Sequence, residues 1–230
     1  MTFIFLIAVL FAVPYLSYKS KDQIHLVEEL DIPRQKLYFQ SLVMQGILSV
    51  LAFFAVRSSL VKINYRSTFS PTAIGVAAGI ILLAWLLSGI RLKNGQEDAE
   101  NNLKYILPRN SKEQAYWLGT TFISSFMEEF IYRGVLFAIF YQTFDGNWWL
   151  GALASAVVFG FSHATQGSAS VLFIIPFGIA FQFLYKISGG LLLPVITHFI
   201  YNTGINLFFA RKILKESEKV KETEEDETSI

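Results

Sequence analysis

Seven long and mostly apolar stretches constrain the fold of this chain more than any other feature of its sequence. In order, they are Met1–Leu16, Leu37–Val56, Ala73–Ile90, Ala115–Phe144, Trp148–Ala164, Ser170–Ile187 and Gly190–Ala210. A helix needs about 20 apolar residues to cross a hydrocarbon core of about 30 Å. Because lipid offers the backbone no hydrogen-bond partner, such segments cross a membrane as helices. The sequence therefore predicts an all-α fold, a polytopic transmembrane helical bundle. We count about seven spans, with a range of six to eight.

The composition agrees with a membrane protein and excludes several other classes. Hydrophobic residues make up 53% of the 230 residues and charged residues only 16%, which is typical of a chain embedded in a lipid bilayer. The absence of cysteine excludes a disulfide framework and a thiolate metal site or nucleophile. A formal net charge of +1 argues against a nucleic-acid partner. The first stretch lacks a basic start and a cleavage site, so we expect a retained anchor rather than a signal peptide.

The charged residues define the domain limits and the orientation. We find no internal repeat and no Pro- or Gly-rich linker, so residues 1–211 are predicted to form a single transmembrane domain. Residues 212–230 are highly charged and almost free of apolar side chains, which predicts a disordered tail. With seven spans, fourteen Lys and Arg residues fall on the side of the C-terminus and four on the other side. The positive-inside rule then predicts a cytoplasmic C-terminus.

The fourth stretch contains charged residues where a membrane segment normally has none. In "SSFMEEFIYRGVLF", Glu128, Glu129 and Arg133 interrupt a run of large apolar residues. One ionised residue at the centre of a membrane helix costs about 2.5–3.5 kcal/mol, so each of them needs a partner or a polar cavity. On an α-helix, Glu129 and Arg133 are four residues apart and share a face, which favours an ion pair. Glu128 points about 140° away from Arg133, and this carboxylate is predicted to be free for another role.

Histidine and asparagine interrupt the later stretches. His163 lies in "FGFSHATQG", within a segment that has no Lys, Arg, Asp or Glu between Asp145 and Lys186. In "THFIYNTG", His198 and Asn202 are four residues apart and share a helical face. Taken singly, such residues are typical of hydrogen bonds between membrane helices. Their joint occurrence with an unpaired glutamate, and without a comparable polar cluster in the first three stretches, indicates a functional site.

In this order, the motifs E-E-x-x-x-R, F-x-x-x-H and H-x-x-x-N resemble the signature of the CPBP intramembrane proteases. This is the CAAX-protease and bacteriocin-processing family, also called Abi. The resemblance covers approximately Gln114–Asn206 and implies a membrane endopeptidase, expected in a bacterial cell membrane, that acts on peptides or membrane proteins. By resemblance, Glu128 and His163 would activate water, while His198 and Asn202 would stabilise the oxyanion. Supporting roles would fall to Glu129, Arg133 and Phe159, the last of them through packing.

Other interpretations of the same residues remain open. No cofactor is favoured, but Glu128, His163 and His198 also form a candidate zinc set, which would make the protein a metalloprotease. A proton-coupled carrier would use the same residues as a relay, although we see no repeated halves of the kind that transporters have. A haem between the two histidines would leave Glu128 without a role. A non-catalytic immunity or binding protein on this scaffold would keep every motif residue, and only an activity assay separates it from a protease.

Overall fold

A computed structural model of the chain describes residues 1–59, 62–93, 102, 104–208 and 214. Helices occupy all seven predicted stretches, and no strand occurs in the described ranges, which confirms the all-α fold. The helices in these stretches are α1 (Thr2–Lys21), α2 (Arg34–Ser59), α3 (Pro71–Lys93), α4 (111–143), α5 (Trp148–Phe161), α6 (Ser168–Ser188) and α7 (192–208). A short helix, Leu26–Glu29, lies between α1 and α2. Apart from Leu214, the predicted tail at 212–230 lies outside the described residues.

The helices differ in their suitability for crossing a membrane. Within the described ranges, four are long and apolar enough to do so: α1, most of α2, most of α3, and α6. The fifth predicted span, Trp148–Ala164, is shorter than expected because α5 ends at Phe161, with a single 3₁₀ turn at Ala164–Gln166 beyond it. The chain is thus a multi-pass integral membrane protein, while the count of seven spans stays a prediction.

The distribution of side chains is that of a protein dissolved in lipid. Large apolar side chains face outward, with Phe3 73% and Leu172 72% exposed. A small set of charged and polar side chains lies inside, with Glu129 0%, Arg133 2% and Gln182 1% exposed. Charged side chains are almost never fully buried in soluble proteins unless they are paired. This arrangement places the ionisable residues of the motifs inside the bundle and away from the acyl chains.

Helix α4 is continuous but not uniformly α-helical. It begins at Asn110, whose side chain accepts a hydrogen bond from the Glu113 backbone N–H at 2.9 Å, as an N-cap residue does. The α-helix Ser111–Glu128 is followed by a π-helical segment, Glu129–Leu136, all eight residues of which are buried. Segments of π-helix occur frequently at functional sites. In this helix, the change of geometry falls between the two motif glutamates.

Close packing joins the motif helices to each other and to the N-terminal helices. Helices α5 and α6 approach so closely that a Cβ atom added at Gly178 would lie 2.8 Å from the Cβ of Ala156, a contact that only small residues permit. Side chains from α1, α2, α4 and α5 share one core cluster, which includes Phe5, Leu48 and Ile131. The N-terminal helices are therefore part of the same bundle as the motifs.

Helix α7 is held in place by α3. The left-handed conformation of Gly189 (φ 70°) ends α6 and lets the chain turn back into α7. The indole N–H of Trp85 donates to the carbonyl of Tyr201 at 3.2 Å. A Cβ atom at Gly204 would overlap the same indole, so glycine is required at this contact. This packing fixes α7, the helix that carries His198 and Asn202.

Candidate active site

Three of the four residues predicted to be catalytic meet inside the bundle. The Oε2 atom of Glu128 lies 3.8 Å from Nε2 of His163 and 3.8 Å from Nε2 of His198. These side chains come from α4, from the turn after α5 and from α7, respectively. A separation of 3.8 Å is longer than a direct hydrogen bond. At this distance, a water molecule can bond to the Glu128 carboxylate and to a histidine ring at the same time.

Hydrogen bonds fix the orientation of both imidazole rings. Nδ1 of His163 lies 2.9 Å from the carbonyl oxygen of Phe159, which can only accept, so we assign the proton to Nδ1. Nδ1 of His198 lies 2.8 Å from Oε1 of Glu129, and the same assignment follows for an ionised carboxylate. In their neutral forms, both rings therefore present the Nε2 lone pair to Glu128.

The predicted ion pair between Glu129 and Arg133 is present. Nε of Arg133 lies 3.3 Å from Oε2 of Glu129, and the two side chains are 3% and 0% exposed. The guanidinium carbon also lies 4.0 Å above the ring centroid of Phe159 and 5.3 Å from that of Phe181. Such cation–π contacts gain strength when they are shielded from water. Glu129 thus pairs with Arg133 and also bonds to His198 on α7. The sequence did not indicate the bond to His198.

Phe159 packs at the centre of this group, as expected. Its ring makes edge contacts with Tyr132 at 4.9 Å, with His163 at 4.6 Å and with His198 at 6.3 Å between centroids. Edge-to-face contacts of this kind fix ring orientation as well as burying area. Phe159 therefore positions both histidine rings, in addition to the hydrogen bond that its carbonyl accepts from His163.

Asn202 is less closely connected to the group. It is half-buried on α7, one turn beyond His198, and its side chain makes no hydrogen bond among the described residues. The structure therefore places Asn202 next to the site in sequence and on the same helix, but does not join its amide to Glu128 or to the histidines.

A cavity of about 450 Å³ adjoins the site. Glu128 and His163 line it, whereas His198 and Asn202 are not among its lining residues. Much of the remaining wall comes from the N-terminal part of the chain, through residues of α1 and α2 such as Val13, Leu16, Ser17, Leu37, Ser41, Met44, Gln45 and Leu48. The cavity is therefore built jointly by the motif helices and by helices in which the sequence revealed no site.

Gln45 is the residue of this wall that sequence reasoning missed. Its Nε2 atom donates to Oε1 of Glu128 at 2.7 Å. A signal was present, because Ser41, Gln45 and Ser49 recur at intervals of four residues within an apolar stretch and so form a polar row on one face of α2. The expectation that the first three stretches hold no comparable polar cluster was wrong for the second of them.

The geometry also bears on the zinc hypothesis. Among the described residues, no group of three or more His, Asp or Glu side chains has an arrangement that could hold a metal ion. Ligand atoms at about 2.0–2.2 Å from a tetrahedral zinc lie about 3.3–3.6 Å apart, which is slightly closer than the 3.8 Å between Glu128 and each histidine. The three side chains therefore lie near one another but outside zinc-ligand spacing, and the zinc hypothesis requires an experiment.

Comparison with protein-family models matches residues 110–204 to a family described as type II CAAX prenyl endopeptidase, Rce1-like. The matched range contains all three motifs, from Glu128 to Asn202, and leaves α1 to α3 outside. Comparison of the chain with curated proteins and with solved structures found no match. The family match confirms the resemblance that the motifs indicated and extends over nearly the same residues.

Proposed function

We propose that this protein, whose residues 110–204 match the model of the Rce1-like family of type II CAAX prenyl endopeptidases, is a glutamate-dependent intramembrane endopeptidase. Its substrates are membrane-associated or secreted peptides. One observation carries the proposal: the Glu128 carboxylate, which makes no ion pair with Arg or Lys among the described residues, faces two imidazole Nε2 atoms at 3.8 Å and lines the cavity beside the site. Peptide hydrolysis needs such a base together with a held water molecule.

In the proposed reaction, water bonds to Oε2 of Glu128 and to Nε2 of His163. Glu128 accepts a proton from this water while the water oxygen attacks the carbonyl carbon of the scissile peptide bond. When the tetrahedral intermediate collapses, the carbon–nitrogen bond breaks and Glu128 returns the proton to the leaving nitrogen. Proton transfer by a positioned group contributes about 10²–10⁴-fold to the rate of such reactions.

His198 and Asn202 are proposed to stabilise the oxyanion. Nδ1–H of His198 is bonded to Glu129, so Nε2 can donate to the oxyanion when the ring carries both of its protons. The side-chain amide of Asn202 makes no other hydrogen bond in the described structure and is free to donate. In other enzymes, loss of one such donor costs about 2.7–4 kcal/mol.

A cleavage assay tests this function. The purified protein would be reconstituted in liposomes with a farnesylated peptide that ends in a CAAX sequence and with the same peptide lacking the lipid, and the products would be identified by mass spectrometry. We expect at least one peptide to be cut at a single bond. Two results together would contradict the proposal and favour an immunity or binding protein. Neither peptide would be cut, and cells with the wild type would contain the same membrane and secreted peptides as cells with Glu128→Gln.

Cleavage is expected to persist without a bound metal. The base and the oxyanion donors are supplied by side chains in the proposed reaction, so no step requires a Lewis acid. The protein would be assayed after prolonged chelation, with its metal content measured in parallel. Stoichiometric zinc, combined with activity that is lost on its removal and restored on its return, would establish the metalloprotease instead.

The C-terminus is proposed to lie in the cytoplasm of a bacterial cell. Fourteen Lys and Arg residues on its predicted side, against four on the other, favour this orientation. Reporter proteins that are active on only one side of the membrane, fused after Ile230, would determine the location. If only the reporter that works outside the cytoplasm were active, the predicted number of spans or the predicted orientation would be wrong.

A further inference from the structure

Gln45 contacts the proposed catalytic base from a helix outside the family match. It lies in α2, lines the cavity beside Glu128 and donates from Nε2 to Oε1 of Glu128 at 2.7 Å. An ionised carboxylate can only accept hydrogen bonds, so the amide nitrogen, and not the amide oxygen, faces Glu128. This bond occupies Oε1 and leaves Oε2 as the oxygen that faces both histidines.

The other end of the same amide has no partner among the described residues. Oε1 of Gln45 is shielded from solvent and makes no hydrogen bond to any of them. A buried polar atom without a partner is costly and rare, and it indicates a ligand or a water molecule at that position. The hydroxyl of Ser49, one turn further along α2, is also buried without a partner, but Ser49 does not line the cavity. Gln45 therefore combines a fixed bond to the base with an unsatisfied acceptor in the cavity wall.

We propose, on the premise of the protease function above, that Gln45 is a further active-site residue of this protein. Its N–H group positions Glu128 so that Oε2 acts as the base. Its carbonyl oxygen accepts a hydrogen bond from a donor of the reactants, either a main-chain N–H of the substrate peptide or the attacking water. The N-terminal helices thereby contribute directly to a reaction whose motifs all lie on α4, α5 and α7.

Gln45→Met tests both contacts, because methionine keeps the length of the side chain but neither donates nor accepts as an amide does. We expect kcat/KM for the cleaved peptide to fall by about 10- to 100-fold, the range for loss of one hydrogen bond to a charged group. A higher KM at constant kcat would identify the substrate N–H as the donor, and a lower kcat would identify the water and the base. Gln40→Met is the matched control, since Gln40 is an exposed glutamine on the same helix.

Gln45→Glu gives a readout that a purely structural role would not produce. The new carboxyl group would share a proton with Glu128, because two adjacent carboxylates cannot both ionise readily. At low pH the shared proton replaces the amide N–H. As the pH rises and this proton is lost, the donor disappears and cleavage should fall relative to the wild type. The other titratable side chains near Glu128 are His163 and His198, and Tyr132 also lines the cavity with Gln45; all three are unchanged in the variant.

The outcomes separate this inference from the proposed function. Absence of cleavage by the wild type overturns both. Cleavage by the wild type, with kcat and KM of Gln45→Met equal to those of Gln40→Met and an unshifted pH profile for Gln45→Glu, overturns the role of Gln45 alone. If melting temperatures show that Gln45→Met does not fold, the pH profile of Gln45→Glu decides.

Discussion

Glu128→Gln is expected to lower cleavage by about 10²–10⁴-fold, the usual contribution of a positioned acid–base group. Glutamine keeps the size of the side chain and an acceptor for Gln45, but it cannot take a proton from water. Glu128 does not pair with Arg133, and its side chain is 14% exposed beside the cavity. We therefore expect the yield and the melting temperature to remain close to those of the wild type.

The matched control is Glu29→Gln, which makes the same chemical change at a side chain that is 62% exposed and pairs with the exposed His25. This variant should cleave at the wild-type rate. Cleavage and melting temperature would be measured for both variants in the same liposome and detergent preparations. Retained cleavage in Glu128→Gln, or a loss of stability as large as that of Glu129→Gln below, would contradict the assignment of Glu128 as the base.

Much of the fold could be predicted because lipid restricts the backbone so strongly. Each long apolar stretch had to be helical, and a helix occupies each of the seven. The ends of the helices were less predictable where the polarity of the sequence changes gradually. Helix α5, for example, ends at Phe161 rather than at Ala164. The π-helical geometry of Glu129–Leu136 was also not predictable, because local sequence carries no strong signal for an i→i+5 hydrogen-bond pattern.

The meeting of Glu128 and His163 could be expected from the motifs but not from helix lengths. With a rise of 1.5 Å per residue, the two residues were expected at different depths in the membrane. They could meet only if the helices were offset or if the fourth helix began in the membrane–water interface. Helix α4 has segments of 18, 8 and 7 residues, 33 in all, and so extends for about 50 Å, more than the hydrocarbon core. This length allows its middle to meet the end of the short α5.

Contacts between distant parts of the chain were the least predictable feature of the site. The bonds from Gln45 to Glu128 and from His198 to Glu129 join residues 83 and 69 positions apart. A helical face can be derived from spacing, but the helix that it faces depends on the packing of the whole bundle. The pair Glu129 and Arg133 was predicted because both residues lie on one helix.

Glu129→Gln is expected to reduce stability as well as cleavage. It leaves the Arg133 guanidinium, whose side chain is 3% exposed, without its carboxylate, and breaking a buried ion pair typically costs about 3–5 kcal/mol. The amide oxygen of glutamine can still accept from Nδ1 of His198, so most of this loss should come from Arg133. The melting temperature and the yield in membranes would be measured beside those of Glu128→Gln. A melting temperature equal to that of the wild type would show that the pair is not structural.

The double variant Glu129→Gln with Arg133→Gln should recover part of the lost stability, because no unpaired charge then remains in the core. Recovery should be incomplete, since the contact of the guanidinium with the Phe159 ring, 4.0 Å away, is also lost. Cleavage should stay below that of the wild type even as the melting temperature rises, because the neutral amide of glutamine accepts a weaker hydrogen bond from Nδ1 of His198 than the Glu129 carboxylate does. If cleavage instead recovered in parallel with stability, Glu129 would act only by neutralising Arg133, and His198 would not depend on its charge.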